Sequence, residues 1–385
     1  MKSNYEPLGK HIRLVDYRNS EEITSTVLGI SIDKEFMPSV ANVIGTDLSR
    51  YKLISKGLFA CNPMHVGRDE RLPIALYEKD SPAIVSPAYF MFEIIDRDVL
   101  NEEYLMMWFR RPEFDRECWF MTDGSVRGGI TWEDLCRIKL PVPSYARQCE
   151  IVESYRAITD RIALKRAEND NLEAAALSIY KCFFVDYIPF DGSQPSSWKE
   201  VTVDDIASDV ICGKTPPTAD PQNYGGTIPF ITIPDMHGSV YTTSTARFLS
   251  EKGASTQPGK MLPANSVCVS CIASVGLVCL TAEPSQTNQQ INSIICKDQI
   301  SPFYVYTKMT TLNKYLKQLG AGGSTTLNIN KTLFGQIPIL LPDEASMKEY
   351  HNKVEPLFSS IRENQYEIQH LESLKRLLLS QISSR

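Results

Sequence analysis

The polar chemistry of this 385-residue chain gathers on turns rich in glycine and proline. Gly213-Lys214-Thr215-Pro216-Pro217 leads into Asn223-Tyr224-Gly225-Gly226-Thr227-Ile228-Pro229-Phe230 and then Asp235-Met236-His237-Gly238. Ser285-Gln286-Thr287-Asn288-Gln289-Gln290 and Gly322-Gly323-Ser324-Thr325-Thr326 follow. Earlier in the chain arginine replaces the amides, in His65-Val66-Gly67-Arg68-Asp69-Glu70-Arg71 and in Gly124-Ser125-Val126-Arg127-Gly128-Gly129. Side chains of these kinds recognise rather than react. Asn and Gln pair bidentately with adenine, Ser and Thr reach bases or phosphates, and Arg reads guanine and clamps phosphate. The candidates for such contacts are Arg68, Arg71, Ser125, Arg127, Lys214, Thr215, Asn223, Tyr224, His237, Asn288, Gln289, Ser324 and Thr325. The competing reading is ordinary turn chemistry, with Arg68 and Arg71 paired to Asp69 and Glu70.

Signatures of catalysis are missing. Cys212-Gly213-Lys214-Thr215 resembles the end of a phosphate loop, but Ser208 stands where the leading glycine belongs. Asn62-Pro63-Met64-His65 is a fragment of an amino-methyltransferase motif with no glycine-rich cofactor loop beside it. The five histidines are isolated from one another and offer no nucleophile with its base. Cys268 and Cys271 lie in a run that reads as a strand, where residues three apart point to opposite faces and cannot converge on a metal. The ten cysteines are scattered through apolar runs, which predicts reduced, mostly buried thiols. No catalytic residue, metal site or cofactor of its own is expected in this chain.

The elements that position the loops come from a duplication. Gly124 to Glu173 aligns without a gap on Gly323 to Glu372, with eleven identities in fifty positions. Roughly three would arise by chance at ordinary residue frequencies. Each copy runs in the same order: a Gly-Ser turn, a short strand ending in proline (Arg137 to Pro143, Gln336 to Pro342), a helix cap (Ser144, Asp343) and a long helix. Ile151, Ile158, Ile162, Leu172 and Ile179 form a narrow apolar seam in the first helix, with polar Lys165 and Asn169 filling a gap in it. Leu357, Ile361, Ile368, Leu371 and Leu378 form the seam of the second. About 40 residues at 1.5 Å each make helices of roughly 60 Å, longer than one small domain can cover. Antiparallel pairing of the two helices explains the seams better than separate docking of each on its own domain. Pro356 predicts a kink or a restart at Glu355-Pro356.

The segments ahead of the helices align poorly except at their ends and read as mixed domains of short strands. Helical Asn101 to Arg111 and Pro302 to Leu319 precede each Gly-Ser turn by similar distances. The expected fold is therefore mixed α/β (α+β), with domains at 1–143 and 189–342 joined by antiparallel coiled-coil helices at 144–188 and 343–385 in a pseudo-twofold repeat. Length suits two domains of about 150 residues. Net charge is −6, and segments 1–143 and 189–342 carry 18 basic with 22 acidic and 10 with 10 groups. Neither is basic, so nucleic acid would be held by local loops with help from a partner. With no apolar run of about 20 residues and no signal core, a cytoplasmic location off the membrane is expected.

The stretch from Gly213-Lys214-Thr215-Pro216 through Tyr224-Gly225-Gly226, Ile228-Pro229-Phe230 and Asp235-Met236 resembles the DNA specificity subunit of type I restriction-modification systems. The Gly-Ser turns, the Ile/Leu-Pro strands and the repeated helices carry the resemblance over essentially the whole chain. It implies a non-catalytic subunit whose two target-recognition domains each read half of a bipartite site in double-stranded DNA. It also implies helices that set the gap and bind two methyltransferase subunits, with nuclease/translocase subunits in the larger complex. S-adenosylmethionine, ATP and Mg²⁺ would then belong to those partners. The first segment departs from the pattern: it lacks the Gly-Lys-Thr-Pro stretch, and its entry, Tyr5-Glu6-Pro7-Leu8-Gly9-Lys10, is short. Two other readings fit the residues themselves, a duplicated helical scaffold that binds proteins and a solitary recognition subunit without its enzyme.

Overall fold

Each copy begins and ends on the same two-stranded ribbon. Tyr5–Pro7 pairs antiparallel with Lys139–Pro141, and Lys199–Thr202 pairs antiparallel with Pro338–Leu341. The next turn is tied down in the same way, Leu8 N donating to Ile138 O at 2.8 Å and Val203 N to Ile337 O at 3.0 Å. A buried tyrosine from the preceding helix braces each closing strand: Tyr104 Oη donates to Pro141 O at 3.1 Å, and Tyr304 Oη donates to Leu340 O. Ile138 and Ile337 are equivalent repeat positions, as are Pro141 and Leu340. The short entry of the first segment thus forms the same strand-and-turn as Lys199–Ile206, at a spacing the gapless alignment does not reach.

The structure is a computed structural model that describes residues 5–40, 45–64, 66–122, 128–321 and 327–382. Its contacts divide the chain into two units, Met1–Asp160 with Glu372–Arg385, and Arg161–Leu371. In the first unit, one antiparallel sheet orders Ile12–Leu14, Phe90–Ile94, Phe59–Cys61 and Ile74–Leu76. A second sheet orders Phe36–Pro38, Val27–Ile30, Ala83–Val85 and Lys52–Ile54. Helices Glu102–Phe109 and Pro112–Phe120 supply Phe109 and Phe114 to an aromatic core in which Phe59 stacks on Phe92 at 5.1 Å. In the second unit, a five-stranded sheet orders Ala207–Cys212, Ile291–Cys296, Val267–Ser270, Val278–Thr281 and Tyr241–Thr242. Beside it, Tyr224–Ile231 lies between Phe248–Leu249 and Gln286–Thr287. Helices Pro302–Thr311 and Asn313–Gly320 complete the unit. Alternation along Val267–Ser270 and beyond sends Cys268 to one core with Cys279, while Cys271 faces another with Val267 and Val269.

The long helices span Tyr145–Phe184 and Glu344–Gln381. Asp343 caps the second, its carboxylate accepting from Ser346 N at 2.9 Å. The helices meet antiparallel: Arg161 Nε donates to Glu367 Oε1 at 2.6 Å, Lys165 Nζ to Asn364 Oδ1 at 2.8 Å, and Asn364 Nδ2 to Asn169 Oδ1 at 2.9 Å. Lys165 and Asn364 are equivalent positions of the two copies, so their contact marks the local twofold of the helix pair. The polar residues that interrupt the first seam are the ones that cross it.

Much of the apolar seam does something other than pair the helices. Ile151 and Leu378 pack on the core of the first unit, alongside Val152, Tyr155 and Leu379. Leu172, Ile179, Leu357 and Ile361 pack on the core of the second. Ile162 is buried, and Ile158, Ile368 and Leu371 are half-buried. Phe184 contacts Tyr304 at 4.8 Å and Trp198 at 5.5 Å, so the first helix ends inside the aromatic core of the second unit. The seam is thus partly a docking face, and pairing with docking together replace the choice posed by periodicity. The helix restart expected at Pro356 does not occur, since one helix runs through it. Val354 and Phe358 on either side are fully buried, while Pro356 and Asn352, whose carbonyl loses its partner, face solvent.

Replacing Tyr104 or Tyr304 with Phe should cost about 1 kcal/mol in each case, because each removes one buried hydroxyl from a strand carbonyl. Urea denaturation of the two variants checks this, and an unchanged midpoint in both would show that the strand closure does not depend on these bonds.

Candidate nucleic-acid interface

In the first unit, the turn after Phe59–Cys61 carries the helix Val66–Asp69. Arg68 is exposed, but its guanidinium is clamped bidentately on Asp69, Nε to Oδ1 at 2.7 Å and Nη2 to Oδ2 at 2.9 Å. Arg71 Nη1 reaches Asp33 Oδ1 at 3.2 Å, not Glu70. A buried pair holds this turn from below. Asp115 accepts from Leu72 N at 3.1 Å and from Lys34 Nζ at 2.6 Å, and Lys34 also donates to Leu72 O at 2.9 Å. Burial pushes the Lys34 ammonium below its ordinary pKa, and the facing Asp115 carboxylate opposes that shift. A cavity of about 540 Å³ opens here, lined by Lys34, Arg71, Arg110 and Arg116 and equally by Asp33, Asp69, Glu70 and Asp115. Its charge is balanced. Ser125 and Arg127 lie outside the described residues, as do Ser324 and Thr325 of the second unit.

In the second unit, two of the polar stretches come together. Lys214 N donates to Thr287 O at 3.0 Å, Gly213 N to Ile291 O at 3.1 Å, and Thr215 Oγ1 to Gln289 Oε1 at 2.7 Å. A side chain at Gly213 would put its Cβ 2.2 Å from Asn288 O and 2.3 Å from Thr287 Oγ1, so only glycine permits this approach. No α-helix opens at Lys214-Thr215, unlike the helix that follows a phosphate loop. Asn288 is 7% exposed and spends its amide on Gln290, donating to Oε1 at 3.0 Å and accepting from N at 3.0 Å.

Asn223 and Tyr224 are likewise turned inward. Asn223 is 2% exposed and its Nδ2 donates to Pro217 O at 3.0 Å, while Tyr224 Oη donates to Pro216 O at 2.8 Å. The two residues pin the Pro216-Pro217 turn onto Tyr224–Ile231. Asn223, Tyr224, Thr215 and Asn288 therefore act as braces within the fold in this structure, and the amide-rich loops present fewer free polar atoms than their composition suggests. Lys214, His237 and Gln289 are exposed.

One exposed residue escaped the sequence reading. Arg247 ends the loop between Tyr241–Thr242 and Phe248–Leu249, and it is the single arginine between positions 189 and 342. That rarity was the available signal. Motif matching passes over it because the run ahead of it, Thr242-Thr243-Ser244-Thr245, holds no glycine, proline or amide.

Two copies of a closed mixed-sheet frame, each followed by a long helix and each carrying different loops, define a duplicated recognition protein. Residues 195–373 match the model of the type I restriction modification DNA specificity domain. The chain belongs to the specificity subunits of type I restriction enzymes: it is 33% identical to the HindI specificity subunit of Haemophilus influenzae, over 96% of this chain and 95% of that one. The MjaIX specificity subunit of Methanocaldococcus jannaschii is 22% identical, over 75% of this chain and 70% of that one. In fold, the chain is similar to the S subunit of a type I restriction-modification system from M. genitalium, with a TM-score of 0.62 and 13% identity, covering 99% of this chain and 96% of that one. Among the described residues no helix is long and apolar enough to cross a membrane.

Asn223→Ala should destabilise the protein by about 1 kcal/mol, because it removes the hydrogen bond by which the buried Asn223 amide holds the Pro217 carbonyl. Lys214→Ala should stay within about 0.5 kcal/mol of the parent, as exposed positions do. Thermal melts of the two variants decide which of these polar residues are braces.

Proposed function

We propose that segments 1–143 and 189–342 are target-recognition domains, each reading one half of a bipartite site in double-stranded DNA. The long helices set the gap between the halves and dock two methyltransferase subunits. The observation that carries this reading is the meeting of equivalent positions, Lys165 and Asn364, in the antiparallel helix pair. A helix pair with a local twofold offers two like surfaces, which suits two copies of one partner.

The chain itself supplies discrimination and not chemistry. S-adenosylmethionine, ATP and Mg²⁺ serve the methyltransferase and nuclease/translocase subunits of the full complex, in the cytoplasm. The charge supports this division of labour. Neither recognition segment is basic, so the partners contribute much of the phosphate neutralisation while the loops discriminate at about 1–3 kcal/mol per base pair. Discrimination is divided as well, because the closing ribbons match in the two copies while the inserts between them differ.

Exchanging 189–342 for the corresponding segment of a relative should therefore change one half of the methylated site and leave the other half and the gap as they were. Genome-wide mapping of modified bases in cells that carry the exchanged subunit reads this directly. A change in both halves would overturn the modular reading.

A further inference from the structure

Arg247 sits on backbone that is bonded on both sides while its side chain is left free. Its carbonyl accepts from Phe230 N at 3.1 Å and from Thr245 Oγ1 at 2.6 Å. The preceding Ala246 N donates to Asp235 Oδ1 at 2.9 Å. Asp235 is itself fixed by accepting from Thr232 N at 2.8 Å and Thr232 Oγ1 at 2.6 Å. The following Phe248 pairs with Pro229 across the sheet. Among the described residues the Arg247 guanidinium has no hydrogen bond or ion pair. That sets it apart from Arg68 and Arg71 of the first unit, which are tied to Asp69 and Asp33, and from Lys252, whose ammonium lies 2.8 Å from Asp220.

Arg247 lines a cleft of about 520 Å³ with Thr218, Tyr224, Gly225, Gly226, Ala246 and Phe248. No carboxylate is among the residues that line it. The opposite wall is a bulge. Leu249 faces both Tyr224 and Ile228, and Gly225, Gly226 and Thr227 loop out between them, exposed. Glycine is required twice in this wall. Gly225 has φ +81°, with open space around a would-be Cβ, and a Cβ on Gly226 would lie 2.5 Å from Leu249 O. Bare, exposed backbone next to a rigidly mounted cation suits an anion that approaches closely.

We propose that Arg247 and the Gly225-Gly226 bulge form a seat for one backbone phosphate of the bound DNA. This rests on the reading of 189–342 as a recognition domain. The seat positions the duplex and carries no base code, because glycine backbone and a guanidinium on a phosphate read no base edge. It also supplies the local charge that a segment with equal numbers of acids and bases otherwise lacks.

The test uses the complex of this chain with its methyltransferase subunit and a duplex carrying the methylated site mapped in cells. Binding is measured across a salt series and against duplexes with single base changes in each half-site. Arg247→Ala should weaken binding about tenfold, evenly across those duplexes, and lower the slope of log K against log salt by about one. Arg247→Lys, which keeps a point charge, should retain the parent slope and most of the affinity. Both should melt with the parent. Unchanged affinity and slope in the alanine variant would overturn the seat. So would lost preference at a single base position with the lysine variant failing alike, which would make Arg247 a base reader. If the parent complex does not prefer its mapped site over the altered duplexes, the recognition reading fails and the seat falls with it.

Discussion

An insert can diverge freely only if the chain that carries it enters and leaves the frame at one place. In both copies of this protein that condition is met by an antiparallel ribbon between the first strand and the last, Tyr5–Pro7 on Lys139–Pro141 and Lys199–Thr202 on Pro338–Leu341. Main-chain hydrogen bonds make the ribbon, so it tolerates exchange of most of its side chains. Only the bracing tyrosines, Tyr104 and Tyr304, are asked for by type. Proline follows the closing strand and the helix begins within four residues of it, at Tyr145 and at Glu344, which sends each long helix off from the same corner of its frame. The sheets between entry and exit need only fill the space, and in the two units they differ in strand number and order.

The helices inherit their dual role from that geometry. Because each starts at a closed frame, one part of its apolar stripe is drawn into the adjacent core: Tyr350, Val354 and Phe358 near the start of the second helix are fully buried with the aromatic end of the first. Where residues 161–169 of the first helix meet the second, the bonds across the pair are polar. Half-buried Lys165 and Asn169 satisfy the buried Asn364 amide across the pair, as a buried amide requires if it is not to cost more than it contributes. A polar contact of this kind has one satisfied alignment, whereas a uniform apolar stripe would have several.

Recognition loops face an opposite demand, since they must be rigid yet leave something unpaired for a ligand. The second unit solves this by spending most of its polar side chains inward. Thr215, Asn223, Tyr224 and Asn288 bond to neighbouring loops and backbone, and what they hold still includes Lys214 and Gln289, while Asp235 and Thr245 hold the segment at Arg247. Rigidity of this sort reduces the ordering cost that binding would otherwise carry. The first unit achieves the same with charge, Lys34 and Asp115 bracing the Arg71-Leu72 turn from beneath.

The sequence by itself was enough for the duplication, the mixed fold, the long helices, their antiparallel seam and the family, because each of these is written in periodicity or in residues that recur at a fixed offset. The opposed faces of Cys268 and Cys271 also follow from strand alternation alone. What only the tertiary structure decided was which polar residues are used up. Whether Asn223 is a brace or a reader depends on Pro217, and whether Arg71 is tied depends on Asp33, contacts set by folding rather than by spacing along the chain. The same holds at Pro356, where local propensity argues for a break and packing of Val354 and Phe358 keeps the helix whole. It holds again for Arg247, which the sequence marks only as the lone arginine of its segment and which the fold sets beside a glycine bulge in a cleft that no carboxylate lines. Local pattern determines which elements form, because helix and strand are short-range choices. Satisfaction of a polar group is settled by whatever the fold brings within about 3 Å of it.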